Sequence, residues 1–151
     1  AFHPSIELNG GQTQLHINTS SWPEAWGPDP VMMGDRTHLD GVLSNLLDNA
    51  VRYAGDTPPH ITVTLDYVTG NQPMWLVKIV DCGMGIPKEH QSKIFERFHR
   101  VPTGNRHDVK GFGLGLHYVN TIVRAHGGKV SCASEVGAGS TFSVQLPAHQ
   151  A

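Results

Sequence analysis

No apolar run in this sequence approaches the roughly 18 residues that a bilayer span needs, so no membrane helix is predicted. Its first residues lack the charged, then apolar, then small-residue pattern of a secretory leader. A soluble domain is expected, one that can still be a piece of a longer membrane protein. Neither sign of charge dominates, with 11 Lys+Arg against 13 Asp+Glu. A phosphate-backbone partner calls for a basic face, so nucleic acid is excluded as the main partner. Cysteine is scarce, and the spacing of Cys82 and Cys132 fits no zinc or redox motif. Both lie in apolar, strand-like stretches and are expected to be buried, reduced thiols. The ten histidines are scattered with no pair at ligand spacing, so no histidine metal site is read.

What remains is a 151-residue chain, near the usual size of one domain and long enough to bury a two-layer core unaided. It carries 17 glycines, and their clustering is the informative feature. In the first 30 residues, Leu15 and Ile17 alternate with polar neighbours and suggest one short strand. Trp22, Pro23, Trp26, Gly27, Pro28 and Pro30 then interrupt regular structure. Asp35 has the character of a helix N-cap, because its carboxylate can accept a first-turn N–H. The helix it opens is predicted from about Arg36 to Ala54, with Leu39, Val42, Leu43, Leu46, Leu47, Ala50 and Val51 at helical spacing.

Ile61, Val63 and Leu65 alternate with Thr62, Thr64 and Asp66 and predict a strand, and Trp75 to Asp81 predicts a second. Lys88 to Phe98 is predicted as a short helix and 99–112 as a loop. Leu114 to Ala125 is predicted as a helix stopped by Gly127 and Gly128. Lys129 to Ala133 and Thr141 to Leu146 complete the strands. Strands and helices mixed in this order, with two hairpin-like pairs, predict an α+β domain. It is a two-layer α/β sandwich with a mixed, mostly antiparallel sheet and helices on one face.

Four local patterns carry chemistry. On the first long helix, Asn45, Asn49 and Arg52 fall within about 60° of arc and form a polar stripe. An Asn amide oxygen suits a hard cation such as Mg²⁺, and an Arg one turn on can meet phosphate. A solvated helix face would give the same pattern. Trp75, Val77, Ile79 and Asp81 share one side of a strand, which puts a carboxylate at the edge of an apolar layer in need of a donor. Adenine offers one in its amino group, and Gly83 and Gly85 would let backbone pass close to a flat ring. A tight turn capped by Asp81 explains the same run. Gly111, Gly113 and Gly115 lead into a helix start, where free N–H groups attract phosphate. They do not follow a strand in a parallel unit, so a dinucleotide fold is rejected. Gly137 to Phe142 is a turn entering the last strand, and a plain hairpin fits it equally well.

Taken together and in this order, the patterns resemble the catalytic ATP-binding domain of bacterial two-component sensor histidine kinases, of the Bergerat-type group that includes gyrase, heat-shock chaperone and MutL ATPases. Leu43 to Tyr53 is similar to the family's N box and Asp81 to Pro87 to its G1 box. Ile94 to Arg100 is similar to the F box, Gly111 to Leu116 to G2, and Gly137 to Phe142 to G3. The resemblance covers 34–147. It implies that Asn49 ligates Mg²⁺ with Asn45 close by, that Arg52 meets phosphates and that Tyr53 borders the nucleotide. It implies that Asp81 accepts the adenine amino group, with Gly83 and Gly85 at its turn and Ile86 against the base. Arg97 or Arg100 would reach the phosphates, while Phe95 and Phe98 would pack the hinge of a mobile lid over 99–112. Gly111, Gly113, Leu114, Gly115 and Leu116, with Ser140 and Thr141, complete the implied ATP contacts. Ser140 stands where the family usually has Thr, and Phe112 replaces a small residue within G2.

The gyrase-type relatives place a general-base Glu where Asn45 stands, and Asn45 cannot take a proton. Slow hydrolysis is therefore expected, with the γ-phosphoryl group held for a His on a dimerisation domain and relayed to a response regulator. No phosphoacceptor is read in this chain. His3 precedes Pro4 and strand-like sequence and is not taken as one. The resemblance implies one catalytic domain over 1–151, a cytoplasmic position and a monomer. Two alternatives are a degenerate or anti-sigma-type switch module, which characteristically lacks an F box, and a hydrolysing chaperone or repair ATPase.

Overall fold

The computed structural model describes residues 12–17, 34–55, 58–99 and 115–148, the first segment by its backbone alone. Strand β1 covers Gln12–Ile17, helix α1 Arg36–Arg52, β2 His60–Val68 and β3 Met74–Asp81. Helix α2 covers Lys88–Gln91, α3 Gly115–Ala125, β4 Lys129–Glu135 and β5 Gly139–Pro147. The five strands lie in the order β1-β2-β3-β5-β4. Neighbours are antiparallel except β1 and β2, which run parallel with α1 between them in the chain. A crossover helix is the ordinary way to return a chain for parallel pairing.

The start of α1 follows its sequence signal. Asp35 is extended (φ −85°, ψ 109°) and its side chain accepts the His38 N–H at 3.0 Å. That satisfies one of the first-turn donors a helix leaves without an internal partner. At the far end Tyr53 N–H donates to Asn49 at 3.1 Å, two residues before Gly55. Helix α3 closes with Gly128 N–H donating to Val123 and Gly127 N–H to Arg124, both at 2.9 Å, the paired bonds of a Schellman motif.

Register explains the core. Val63, Ile79, Phe142 and Cys132 line up across β2, β3, β5 and β4, as do Leu65, Val77, Val144 and Val130 one step on. These rows face Val42, Leu46, Leu47 and Ala50 of α1 and Val119 and Val123 of α3 in one apolar cluster. Thr62, Thr64, Lys78, Ser143 and Gln145 alternate with them and take the opposite face.

Two expectations are corrected. The helix predicted over Lys88 to Phe98 is helical only over Lys88–Gln91, and successive turns follow. Gln91 turns its amide back onto Ile86 and Ser134, and Phe98 adopts φ 64°, which no α-helix accommodates. The thiols also differ from expectation: Cys82 is exposed and Cys132 is half-buried. Cys82 follows the last residue of β3, where the chain leaves the sheet, so the apolar pattern before it no longer applies.

Candidate functional site

One step beyond the apolar rows, the sheet ends in a polar one. Ile61, Asp81, Ser140 and Ser134 line up across β2, β3, β5 and β4. Asp81 is 7% exposed and Ser140 also 7%, which makes them buried polar groups among apolar neighbours. Burial holds the Asp81 carboxyl above its ordinary range, and hydrogen bonds from the Gly83 and Ser140 amides only partly oppose that. Both amides reach the same oxygen, Oδ1, at 2.9 and 3.3 Å. Among the described residues no donor reaches Oδ2. The half-buried Cys132 thiol, two residues from that row, is pushed up to about 12 by burial and by the Asp81 charge.

The loop after Asp81 is sewn between α1 and the β4–β5 turn. Met84 N–H donates to the Tyr53 carbonyl at 2.9 Å, and Gly137 N–H donates to the Met84 carbonyl at 2.8 Å. Gly85 sits at φ 74° with its α-carbon against the Glu135 carbonyl, where a Cβ would collide. Gly139, at φ 108°, lies in the same way against the Asp81 carbonyl. Ile86 N–H donates to Ser134 Oγ at 2.7 Å, while Gln91 Nε2 donates to the Ile86 and Ser134 carbonyls at 2.9 and 2.8 Å.

This framework encloses a cleft of about 250 Å³. From the residues singled out in the sequence it brings together Asn49 of α1 and Tyr53 at its C-cap, Asp81, Gly85, Ile86, Leu116 of α3 and Ser140. Its polar lining comes from Asp81 and Ser140 on the sheet, Asn49 on the helix, Tyr53 and His99, with Ile86, Ile94 and Leu116 among the apolar lining. That is the usual character of a small-molecule site.

The other singled-out residues stand around it. Asn45 uses its amide nitrogen on the Gly41 carbonyl at 2.7 Å, and its Oδ1 lies 2.8 Å from where a Cβ on Gly115 would be. Gly83 acts through its amide on Asp81. Arg52 is exposed at the end of α1, outside the lining. Arg97 turns to His117 of α3 at 3.4 Å, away from the cleft. Thr141 pairs with Val80 and Ala133 and so takes the opposite sheet face from Ser140. Arg100, Gly111, Phe112, Gly113 and Leu114, and with them most of the predicted lid, lie outside the described residues. Phe95 packs edge-on against Phe142, with ring centres 6.2 Å apart. Phe98 does not follow it inward and is 66% exposed.

Met84, Pro87, Ile94, His99 and Val136 also line the cleft, although the sequence reading named none of them as a contact. Four lie inside recognised motifs, so proximity in sequence was an available signal. Val136 precedes Gly137 at the tip of a hairpin and carried none.

A family model described as "Histidine kinase-, DNA gyrase B-, and HSP90-like ATPase" matches residues 34–150. Sensor protein RprX of Bacteroides fragilis is 44% identical over 120 residues, which is 79% of this chain and 22% of that protein. Sensor protein SrrB of Staphylococcus aureus is 39% identical over 115 residues, 75% of this chain and 19% of that protein. The chain thus spans about a fifth of the length of the curated relatives it matches. Among solved structures, the mycobacterial sensor histidine kinase MprB shares the fold with a TM-score of 0.74 at 23% identity, over 97% of this chain and 95% of that one. Full-length ShkA, solved in complex with AMPPNP, has a TM-score of 0.74 at 26% identity and covers 98% of this chain and 28% of that one. No helix among the described residues is long and apolar enough to cross a membrane.

Proposed function

Because this chain belongs to the histidine kinase-, DNA gyrase B- and HSP90-like ATPase family, we propose that it is the ATP-binding catalytic domain of a two-component sensor histidine kinase, holding Mg-ATP in the cleft between Asp81 and Asn49. The observation that carries this reading is the Asp81 carboxylate. It is buried and lines the cleft, one of its oxygens is occupied by two amides, and among the described residues no donor reaches the other. A buried charge in this state calls for a donor, and the adenine amino group supplies one. Ile86, Met84 and Leu116 would flank the base.

At the helix end Asn49 would offer an amide oxygen. Magnesium keeps several waters and takes few protein ligands beside the nucleotide's own phosphates, so this single oxygen fits its habits. When bound, the ion would neutralise charge developing on the transferred phosphoryl group. Arg52, and Arg97 or Arg100, with the glycines at 111, 113 and 115, would meet the phosphates. Asn45 spends its amide N–H on the Gly41 carbonyl and holds no proton-accepting group. Without a general base at that position, water is a poor competitor for the γ-phosphoryl group. The acceptor would be a His on a dimerisation domain of the same protein, in the cytoplasmic part of a membrane-bound sensor, with a response regulator downstream. Phe98 and the hollow it forms with His117, Tyr118 and Thr121 offer that domain an apolar contact beside the cleft.

The test is transfer in trans. The chain alone, given radiolabelled ATP, should release phosphate slowly. Mixed with the dimerisation domain of its parent protein, it should label a histidine, and Asn49→Ala should abolish the label. Rapid Asn49-dependent hydrolysis by the chain alone would overturn the assignment.

A further inference from the structure

We propose that Ser134 sets the base specificity of the cleft by fixing the direction of the Ser140 hydroxyl, an inference that rests on reading Asp81 as the adenine acceptor. Ser134 lies outside the cleft lining. Its Oγ nonetheless has three close partners: the Ile86 amide at 2.7 Å, the Gly139 carbonyl at 2.9 Å and Ser140 Oγ at 2.8 Å. Each contact needs one proton. The Ile86 amide can only donate and the Gly139 carbonyl can only accept. Ser134 therefore gives its own proton to Gly139. The remaining contact then takes its proton from Ser140. One assignment satisfies all three, and it commits the Ser140 proton away from the cleft.

Toward the cleft, Ser140 Oγ is then an acceptor only. Asp81, its neighbour in register, presents a carboxylate oxygen, which is also an acceptor only. A purine set against Asp81 and Ser140 meets two side-chain acceptors. The 6-amino group of adenine matches them with its two N–H bonds. A 6-oxo purine sets its carbonyl against them and leaves lone pairs facing lone pairs. Sites built this way reject the mismatched analogue because buried polar groups are left unpaired. Without the Ser134 hydroxyl, Ser140 is free to rotate and donate to a 6-oxo group.

The probe is inosine triphosphate, which carries a 6-oxo group and an N1–H where ATP has a 6-amino group and a bare N1. Affinities of the whole chain for ATP and ITP are compared in wild type, Ser134→Ala, Ser134→Thr, Ser140→Ala and the Ser134→Ala/Ser140→Ala double variant. Ser134→Ala should narrow the preference for ATP about tenfold, one hydrogen bond's worth. Ser134→Thr keeps the hydroxyl and should keep the wild-type ratio. In the Ser140→Ala background, adding Ser134→Ala should leave the ratio unchanged, because the hydroxyl it orients is gone. Should Ser134→Ala fail to fold, Ser134→Cys reads the same ratio, since a thiol is a weak acceptor. An unchanged ratio in Ser134→Ala, or an equal shift with Ser140 already removed, would overturn the proposal and leave Ser134 as a support for the Ile86 loop. Unaltered ATP affinity in Asp81→Asn would instead sink the adenine reading beneath it.

Discussion

Asp81 shows how a buried carboxylate is held at a cost to the fold. Burial raises its carboxyl above the ordinary range. The folded state therefore binds that proton more readily than the unfolded chain does. Ionising Asp81 costs the ligand-free fold stability as pH rises through the raised pKa, and the cost is relieved as pH falls through it. Asp81→Asn keeps an oxygen for the Gly83 and Ser140 amides and removes the buried charge. The unliganded variant should be at least as stable as wild type at neutral pH in a urea titration. Its ATP affinity should fall by about 1.5–3 kcal/mol, the worth of a hydrogen bond to a charged group. In wild type, adenine-nucleotide affinity should fall with pH, starting above the range of an exposed carboxylate. A variant that loses stability and keeps its affinity would make Asp81 a turn cap.

The buried place of Asp81 at the end of β3 was legible because a carboxylate ended an apolar period-2 run and two glycines followed. Ser134 was not legible. Its partners Ile86, Gly139 and Ser140 are set by strand register and by a loop 48 residues away in the chain. Alternation tells which face a residue takes, not which residue lies beside it on the next strand.

Among the elements, the helices with a start or stop signal were read almost to the residue. Asp35 capped α1 and the paired glycines closed α3. The segment after Pro87 was overextended, because apolar spacing over Ile94, Phe95 and Phe98 imitates a helix. Its backbone instead follows turns pinned by Gln91. The ends of α1 and α3 are also tied together. His126 Nε2 accepts the Asp35 N–H at 3.0 Å, and its Nδ1 donates to the Ile122 carbonyl at 2.8 Å. His126→Leu loses both bonds, and a cost of about 1–2 kcal/mol is expected by thermal or urea unfolding, with ATP affinity little changed because the contact is remote from the cleft. A large loss of affinity would show that the two helices are coupled to the site. At the turn that closes the cleft, Gly85→Ala meets both the Glu135 carbonyl and a left-handed backbone. The backbone term alone is about 1–2 kcal/mol, so a larger loss of stability is expected, together with loss of nucleotide binding. A Gly85→Ala variant with wild-type affinity would show that the loop can reroute.

For the whole molecule, the two-layer sandwich, the mostly antiparallel sheet and the shared apolar face followed from periodicity and element order. The parallel pairing of β1 with β2 did not, since a short alternating strand carries no mark of its partner. The architecture gives the cleft its character. The sheet's apolar rows end in Asp81 and Ser140, and the two long helices reach over them with Asn49 and Leu116. The most direct test is calorimetric titration of the chain with a non-hydrolysable ATP analogue, with and without Mg²⁺, in wild type and Asn49→Ala. Binding should strengthen with magnesium in wild type and lose that dependence in Asn49→Ala. No heat of binding at millimolar analogue, or a magnesium effect that survives in Asn49→Ala, would contradict it.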